Sequence, residues 1–154
     1  MRQFPHLHNF DQVHSVSIEL KHHHGGVSVP NLDESIKWYG KVLDFEVEKI
    51  FDIPQIPAKV AMLRRGDLRI ELFEVPEATP MSPDRRIPDR DVHTHGNKHV
   101  AFAIRDVDRV EQELRARGAD IVWVGRFEHG SNIFIRDNAG NLIELVQEPG
   151  MWDG

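Results

Sequence analysis

The segment HGGVSVPNLD at residues 24–33 decides how this sequence is interpreted, because a related segment, HVAFAIRDVD, occupies residues 99–108. A second pair lies at nearly the same spacing: RGDLRIELFEVP at 65–76 and NAGNLIELVQEP at 138–149, which share Ile-Glu-Leu and a following proline. The first pair is offset by 75 positions and the second by 73. Two matches with almost equal offset predict a duplicated structural unit. Each copy opens with a histidine and has a glutamate near its end.

The two halves also share their hydrophobic patterning, which predicts strand, helix, strand, strand, strand in each. In the first half the predicted elements are a strand at 20–29, a helix at 33–40 and strands at 45–52, 58–64 and 68–75. In the second half they are a strand at 98–105, a helix at 107–117 and strands at 120–124, 131–136 and 141–147. The sequence therefore predicts an α+β fold of two βαβββ modules, at about residues 20–75 and 98–148.

The segment between the modules, about residues 76–97, is rich in Pro, Asp, Arg and His and contains four prolines. Proline lacks a backbone donor and disfavours regular structure, so we expect an irregular linker. Arg85 and Arg86 within it fit either a clamp for a substrate carboxylate or phosphate, or a solvated loop pair. An N-terminal arm at about 1–18 precedes the first module, and the whole chain, 1–154, is predicted to be one domain.

The composition excludes several classes of protein. The 154 residues include 19 Lys and Arg against 25 Asp and Glu, a net charge of −6 that argues against a general nucleic-acid binder. No apolar stretch approaches the roughly 18 residues of a membrane span, so we expect a cytoplasmic protein with no membrane partner. The absence of cysteine excludes disulfides and thiolate metal sites, whereas ten histidines provide potential imidazole ligands.

The repeated motifs resemble those of the vicinal oxygen chelate superfamily. The first half carries His-x-Gly-x-x-Val-Pro-x-Leu-Asp from residue 24, and the second half carries Asp-x-x-Gly-Asn-x-Ile-Glu-Leu from residue 137. This superfamily includes glyoxalase I, methylmalonyl-CoA epimerase, fosfomycin-resistance enzymes, extradiol dioxygenases and the metal-free bleomycin resistance proteins. The resemblance extends over about residues 20–148 and implies that the modules form a curved mixed sheet that cups a metal site.

The resemblance also implies a set of metal ligands. By position these ligands are His24, Glu71, His99 and Glu144. Two imidazoles and two carboxylates suit one divalent ion, with Ni, Zn, Mn, Co or Fe as the candidates. Glu144 or Glu71 could detach from the ion to act as a catalytic base. His129, in the loop before a strand that faces the cup, fits either a catalytic acid–base group or a solvated loop residue.

The implied reaction depends on how many ligands bind the ion. Four ligands suit a lyase, isomerase or epimerase of the glyoxalase type, which transfers a proton on a small substrate chelated through vicinal oxygens. Three ligands, His24, His99 and Glu144, would suit an Fe(II) extradiol ring-cleaving dioxygenase. The helper tyrosine common in those enzymes is missing, since the single tyrosine, Tyr39, lies in a predicted helix. A non-catalytic antibiotic-binding protein is the third interpretation. We expect a glyoxalase-type enzyme that acts on a small molecule as a homodimer.

Overall fold

The computed structural model describes residues 18–128 and 130–152 of the chain. Nearly all of the predicted N-terminal arm lies outside these ranges. The predicted α+β fold of two βαβββ modules is confirmed. Within the described ranges, no helix is long and apolar enough to cross a membrane.

The elements follow the predicted order. Module 1 consists of β1 (Gly25–Ser28), α1 (Leu32–Leu43), β2 (Glu46–Ile53), β3 (Ala58–Arg65) and β4 (Leu68–Glu74). The linker contains the one-turn helix α2 (Pro88–Asp91). Module 2 consists of β5 (Val100–Ile104), α3 (Val107–Ala116), β6 (Asp120–Phe127), β7 (Gly130–Arg136) and β8 (Leu142–Gln147). Predicted and observed ends agree within three residues except at the start of β1, which begins only after the three consecutive histidines at 22–24.

The strands form two four-stranded mixed sheets, ordered β1-β4-β3-β2 and β5-β8-β7-β6. In each sheet the first strand of the module runs parallel to the last, and the other neighbours are antiparallel. Each module forms its own sheet, and among the described strands no hydrogen-bonded pairing joins β1 to β5. The modules still touch there, since a Cβ built on Gly25 would lie 3.7 Å from Val100 Cγ2.

Equivalent contacts join the end of the sheet to the start of the helix in both modules. The N–H of Leu32, the first residue of α1, donates to Glu74 Oε2 at 2.6 Å. The N–H of Val107, the first residue of α3, donates to Gln147 Oε1 at 2.8 Å. The first N–H groups of a helix have no partner within it, so these side chains from the ends of β4 and β8 satisfy them. Each contact fixes a helix against its own sheet.

One hydrophobic core extends through both modules. Its fully buried members include Tyr39, Leu63, Ile70, Leu72, Leu114, Ile133, Ile135 and Ile143. In β4 and β8 the core residues alternate with Glu71 and Glu144, because successive side chains of a strand point to opposite faces. The core therefore determines which face of each sheet carries the glutamates.

The linker is more regular than expected. It contains a 3₁₀ turn at Pro83–Arg86 as well as α2. The expectation of an irregular segment is wrong at these two places because Pro83 and Pro88 lie in the first turn of their elements. A proline is tolerated there because the missing N–H would have no partner within the helix.

Asp91 anchors the linker to the start of module 2. The residue is buried, and its Oδ1 lies 2.5 Å from Arg85 Nε and 3.5 Å from Lys98 Nζ. The Arg85 guanidinium also donates to the carbonyl of Asn97, and Lys98 Nζ donates to the carbonyl of Asp91 at 2.8 Å. Because Lys98 directly precedes His99, these contacts hold the chain where β5 begins.

Tyr39 joins the two modules through a buried hydrogen bond. Its hydroxyl donates to Asp137 Oδ2 over 3.1 Å, and both residues are buried. Asp137 Oδ1 also accepts from the N–H groups of Ala139 and Asn141, so it organises the turn between β7 and β8. Burial and the nearby carboxylate raise the pKa of Tyr39 well above its ordinary value of 10.0.

We predict that Tyr39→Phe lowers the free energy of unfolding at neutral pH by about 1.5–3 kcal/mol, the usual contribution of a hydrogen bond to a charged group. The phenyl ring would keep the edge contacts with Trp38 and Phe45, so the change isolates the hydroxyl. Urea denaturation followed by circular dichroism would measure it. An unchanged free energy of unfolding would show that the bond to Asp137 adds no stability.

Wild type and Tyr39→Phe also test the raised pKa of the Tyr39 hydroxyl. The folded protein holds the Tyr39 proton more tightly than the unfolded chain does, so this contribution to stability is complete below a pH of about 10 and is lost above it. The difference in stability between wild type and Tyr39→Phe should therefore shrink as the pH rises beyond that value. Lysine titration affects both proteins equally and cancels in the difference.

Candidate metal centre

In module 1, His24 and Glu71 form a close pair. His24 lies immediately before β1, and its Nε2 is 3.0 Å from Oε2 of Glu71, in the middle of β4. Gly26 is the residue of β1 paired with Glu71, so no side chain of β1 stands beside the carboxylate. His23 lies next to this pair, with its Nδ1 2.5 Å from that of His24. The contact with Glu71 is made by His24 rather than by the neighbouring His23.

In module 2, His99 and Glu144 repeat this arrangement. His99 lies immediately before β5, and its Nε2 is 3.0 Å from Oε2 of Glu144 in β8. The residue of β5 paired with Glu144 is the small Ala101. The His99 ring packs edge-on against Phe134, which lies opposite Glu144 on β7. Both histidine side chains are 31% exposed, and Glu71 and Glu144 are 14% and 18% exposed, so all four can still be reached from solvent.

The donor atoms and their spacing fit a divalent metal ion. Nitrogen and oxygen ligands lie about 2.0–2.2 Å from such an ion, so two ligands at right angles are about 3.0 Å apart. Both observed Nε2–Oε2 distances are 3.0 Å. Each pair offers one imidazole and one carboxylate side chain, a combination suited to Mn, Fe, Co, Ni and Zn.

Asn132 is a polar neighbour of this region that is not among the predicted site residues. Its Nδ2 donates to Glu144 Oε1 at 2.8 Å. The signal in the sequence is weak: Asn132 precedes the alternating stretch Ile-Phe-Ile in β7, two positions before the Phe134 that faces Glu144. Alternation places it on the glutamate face, but only the structure shows that it reaches the carboxylate.

Each His–Glu pair is formed within one module. Among residues 18–128 and 130–152, no group of three or more His, Asp or Glu side chains is placed to hold one ion. The chain therefore presents two half-sites: His24 with Glu71 in module 1, and His99 with Glu144 in module 2. A site with all four ligands stays a prediction.

The remaining candidates lie elsewhere. His129 falls outside the described residues, and its catalytic role stays a prediction. Arg85 is engaged with buried Asp91 inside the linker, which makes it a structural residue rather than a substrate clamp. Arg86 lies over Gly140 in the β7–β8 turn, where a Cβ would come within 2.8 Å of the Arg86 Nε. Gly140 also has a φ of 92°, a conformation that favours glycine, and the contact with Arg86 leaves no space for a larger residue there.

A cleft of about 600 Å³ lies between the modules but does not include either half-site. Its lining includes Phe45, Phe102 and Leu145. Phe102 and Leu145 each neighbour a residue of the glutamate face along their strands, so their side chains point to the opposite face of the sheet. The cleft and the half-sites are therefore separate features.

Solved structures share this architecture. A glyoxalase family protein from Enterococcus faecalis is 20% identical with a TM-score of 0.69, and the match covers 82% of this chain and 97% of that one. A glyoxalase family protein from Bacillus cereus is 23% identical with a TM-score of 0.66, covering 87% and 97%. The trypanothione-dependent glyoxalase I of Leishmania major is 25% identical with a TM-score of 0.66, covering 86% and 90%. No curated protein gives a significant match to the sequence.

The family comparison covers both modules. The model of the Glyoxalase/Bleomycin resistance protein/Dioxygenase superfamily matches residues 21–145, a range that contains both half-sites. This match extends over most of the sequence and agrees with the duplicated fold. The chain belongs to the Glyoxalase/Bleomycin resistance protein/Dioxygenase superfamily.

Proposed function

We propose that this protein is a divalent-metal-dependent enzyme of the glyoxalase type, which transfers a proton on a small substrate chelated through vicinal oxygens. The observation that carries the proposal is the repeated His–Glu contact of 3.0 Å at equivalent positions of the two modules. Two such half-sites facing each other would supply two imidazoles and two carboxylates, whose charges balance a divalent ion and leave coordination positions for a substrate.

The side chains have distinct tasks in this proposal. The ion, when bound, supplies Lewis acidity to a substrate carbonyl. His24 and His99 would bind it through Nε2 as neutral ligands, and the two glutamates would offset its charge. A glutamate oxygen that is not bound to the ion would take the proton next to the carbonyl. Gly26 and Ala101, the small neighbours of the glutamates, leave room for the substrate beside the carboxylates.

We propose that the site is completed in a homodimer. In a twofold dimer, the module 1 half-site of one protomer can face the module 2 half-site of its partner, and the symmetry then generates two equal sites. The edge strands carry large apolar side chains that are exposed in the single chain, as an interface between copies requires. These side chains are Val47 and Ile50 on β2 and Trp123 and Phe127 on β6.

The environment of Tyr39 favours proton transfer over ring cleavage. Tyr39 is the only tyrosine of the chain, and it is fully buried and hydrogen-bonded to Asp137. It therefore lies away from both half-sites and is not available as a helper to a catechol substrate. An Fe(II) dioxygenase would also use only one of the two glutamates, although both make the same contact with a histidine.

We predict that His99→Ala weakens Co(II) or Ni(II) binding by more than about 100-fold, beyond the loss typical of a supporting residue. Glu71→Ala should act in the same direction, because the two half-sites share one ion. Isothermal titration calorimetry on metal-free protein would give the affinities. The matched control is His22→Ala, an exposed histidine of the same segment as His24, which should leave the affinity unchanged. If the His22 and His99 variants lose affinity equally, binding is nonspecific.

The reaction class is tested with Ni(II)-loaded and Fe(II)-loaded protein, each with and without air. The substrates are hemithioacetals, acyl thioesters and catechols; the likeness to the Leishmania major glyoxalase I supports the first of these. We expect isomerisation or proton exchange that is independent of oxygen. Oxygen uptake with a catechol, seen only with Fe(II), would assign a dioxygenase instead. Tight binding of a compound without turnover would assign a binding protein.

The dimeric site gives a prediction that a site within one chain does not. One parent carries His24→Ala with Glu71→Ala, and the other carries His99→Ala with Glu144→Ala. Each parent alone should be inactive. After the two are unfolded together and refolded as an equal mixture, about one quarter of the wild-type sites should return, since half of the dimers are mixed and each of these has one intact site. No activity after refolding would place the four ligands within one chain.

A further inference from the structure

The two half-sites differ at the glutamate. Glu144 uses both oxygens: Oε2 lies 3.0 Å from His99 Nε2, and Oε1 accepts from Asn132 Nδ2 at 2.8 Å. Glu71 contacts His24 in the same way, but within the described residues its side chain accepts no hydrogen bond from an amide. One carboxylate is therefore held at two points and the other at one.

The strand register shows where this difference originates. Asn132 lies two positions before Phe134, the residue opposite Glu144. The residue two positions before Met62, which lies opposite Glu71, is Val60. Val60 is fully buried and has no polar group to offer. The duplicated fold thus places a hydrogen-bond donor beside one glutamate and an aliphatic side chain beside the other.

The space around Asn132 also differs between the modules. Gly125 lies opposite Asn132, whereas Phe51 lies opposite Val60. A Cβ on Gly125 would come within 2.6 Å of Asn132 Oδ1 and 2.8 Å of Trp123 Nε1. The missing side chain at Gly125 therefore leaves the room in which the Asn132 amide can turn its nitrogen towards Glu144.

Burying the Asn132 amide also has an energetic cost. Its Oδ1 is buried and has no hydrogen-bond partner in the part of the chain that the structure describes. An unpaired buried polar atom is destabilising, and the equivalent position in module 1 avoids it with valine. The presence of an amide here thus indicates a role in holding the carboxylate rather than in packing.

We propose that Asn132 is a positioning residue that fixes Glu144 with Oε2 towards the ion, so that Glu144 is the permanent carboxylate ligand and Glu71 is the one that can exchange. This rests on the proposed metal-dependent function. Asn132 binds neither ion nor substrate in this proposal; it acts through Glu144. Supporting residues of this kind orient metal ligands, and their loss typically weakens metal binding about 10–100-fold.

The test is Asn132→Val, which gives module 2 the residue that module 1 has at this position. Co(II) affinity is measured by calorimetry, the ligand field by the visible absorption of bound Co(II), and folding by the melting temperature of the metal-free protein. We expect an affinity about 10–100-fold below wild type and an altered Co(II) spectrum. Val60→Ala is the matched control; it disturbs the same position of module 1 and should leave both the affinity and the spectrum unchanged.

A double-mutant cycle separates action through Glu144 from a general effect on the fold. Asn132→Val should weaken Co(II) binding in the Glu71→Ala background as strongly as in wild type, and have no further effect in the Glu144→Ala background. Equal effects in the two backgrounds would overturn the proposal, as would a folded Asn132→Val protein with wild-type affinity.

A second variant tests the proposal if Asn132→Val does not fold. Gly125→Ala keeps Asn132 but places a methyl group 2.6 Å from its Oδ1, too close for the amide to keep its orientation, and it should also weaken Co(II) binding. Wild-type affinity in Gly125→Ala would then overturn the proposal. The wild-type titration comes first: if the unmodified protein binds no Co(II), the proposed function fails, and the role of Asn132 fails with it.

Discussion

The candidate site depends on the burial of the two apolar residues that flank each glutamate. Ile70 and Leu72 on β4 are fully buried, and each contributes about 1.5–3 kcal/mol when it is removed from water. Because strand side chains alternate, burying these two forces Glu71 onto the other face. A shift of one residue would expose both and bury the carboxylate. The Ile-Glu-Leu sequence of β8 sets the same constraint in module 2, so packing of the core determines the position of the two proposed carboxylate ligands.

The same constraint acts on two modules that have otherwise diverged. In both modules the first N–H group of the helix donates to the side chain of the last residue of the module's final strand. The acceptor is the charged Glu74 in module 1 and the neutral Gln147 in module 2. The glutamate faces differ more, since one has Val60 and the other Asn132. The scaffold is therefore nearly symmetric while the surroundings of the two half-sites are not, and two chemically similar carboxylates experience different environments.

The repeated motifs predict most of the fold because hydrophobic alternation and helical spacing are local properties. The order of all the main elements and the face of each glutamate follow from them. The end of α1 does not: the predicted helix stops at Gly40, but the chain continues helical to Leu43, because Val42 and Leu43 are buried in the core. Core contacts of this kind override the weak local preference of a glycine.

Local sequence patterns do not predict contacts between distant segments. The buried Asp91 could not be predicted, because its partners Arg85 and Lys98 are exposed residue types in a proline-rich segment. The contact of Asn132 with Glu144 depends on a gap left by Gly125, on a third strand. Whether the half-sites meet within one chain depends on how two sheets are arranged, and no short motif encodes that arrangement.

The division of the proposed ligands into one His–Glu pair per module has a consequence for how such a protein can change over evolutionary time. A chain with a single module already carries half of the proposed ligand set, so a pair of identical single-module chains could bring together two histidines and two glutamates. In such a pair every substitution appears twice. In a fused chain a substitution appears in one half only, and each carboxylate can be tuned without altering the other. Val60 and Asn132 are a difference of this kind, which joining the halves in one gene makes possible.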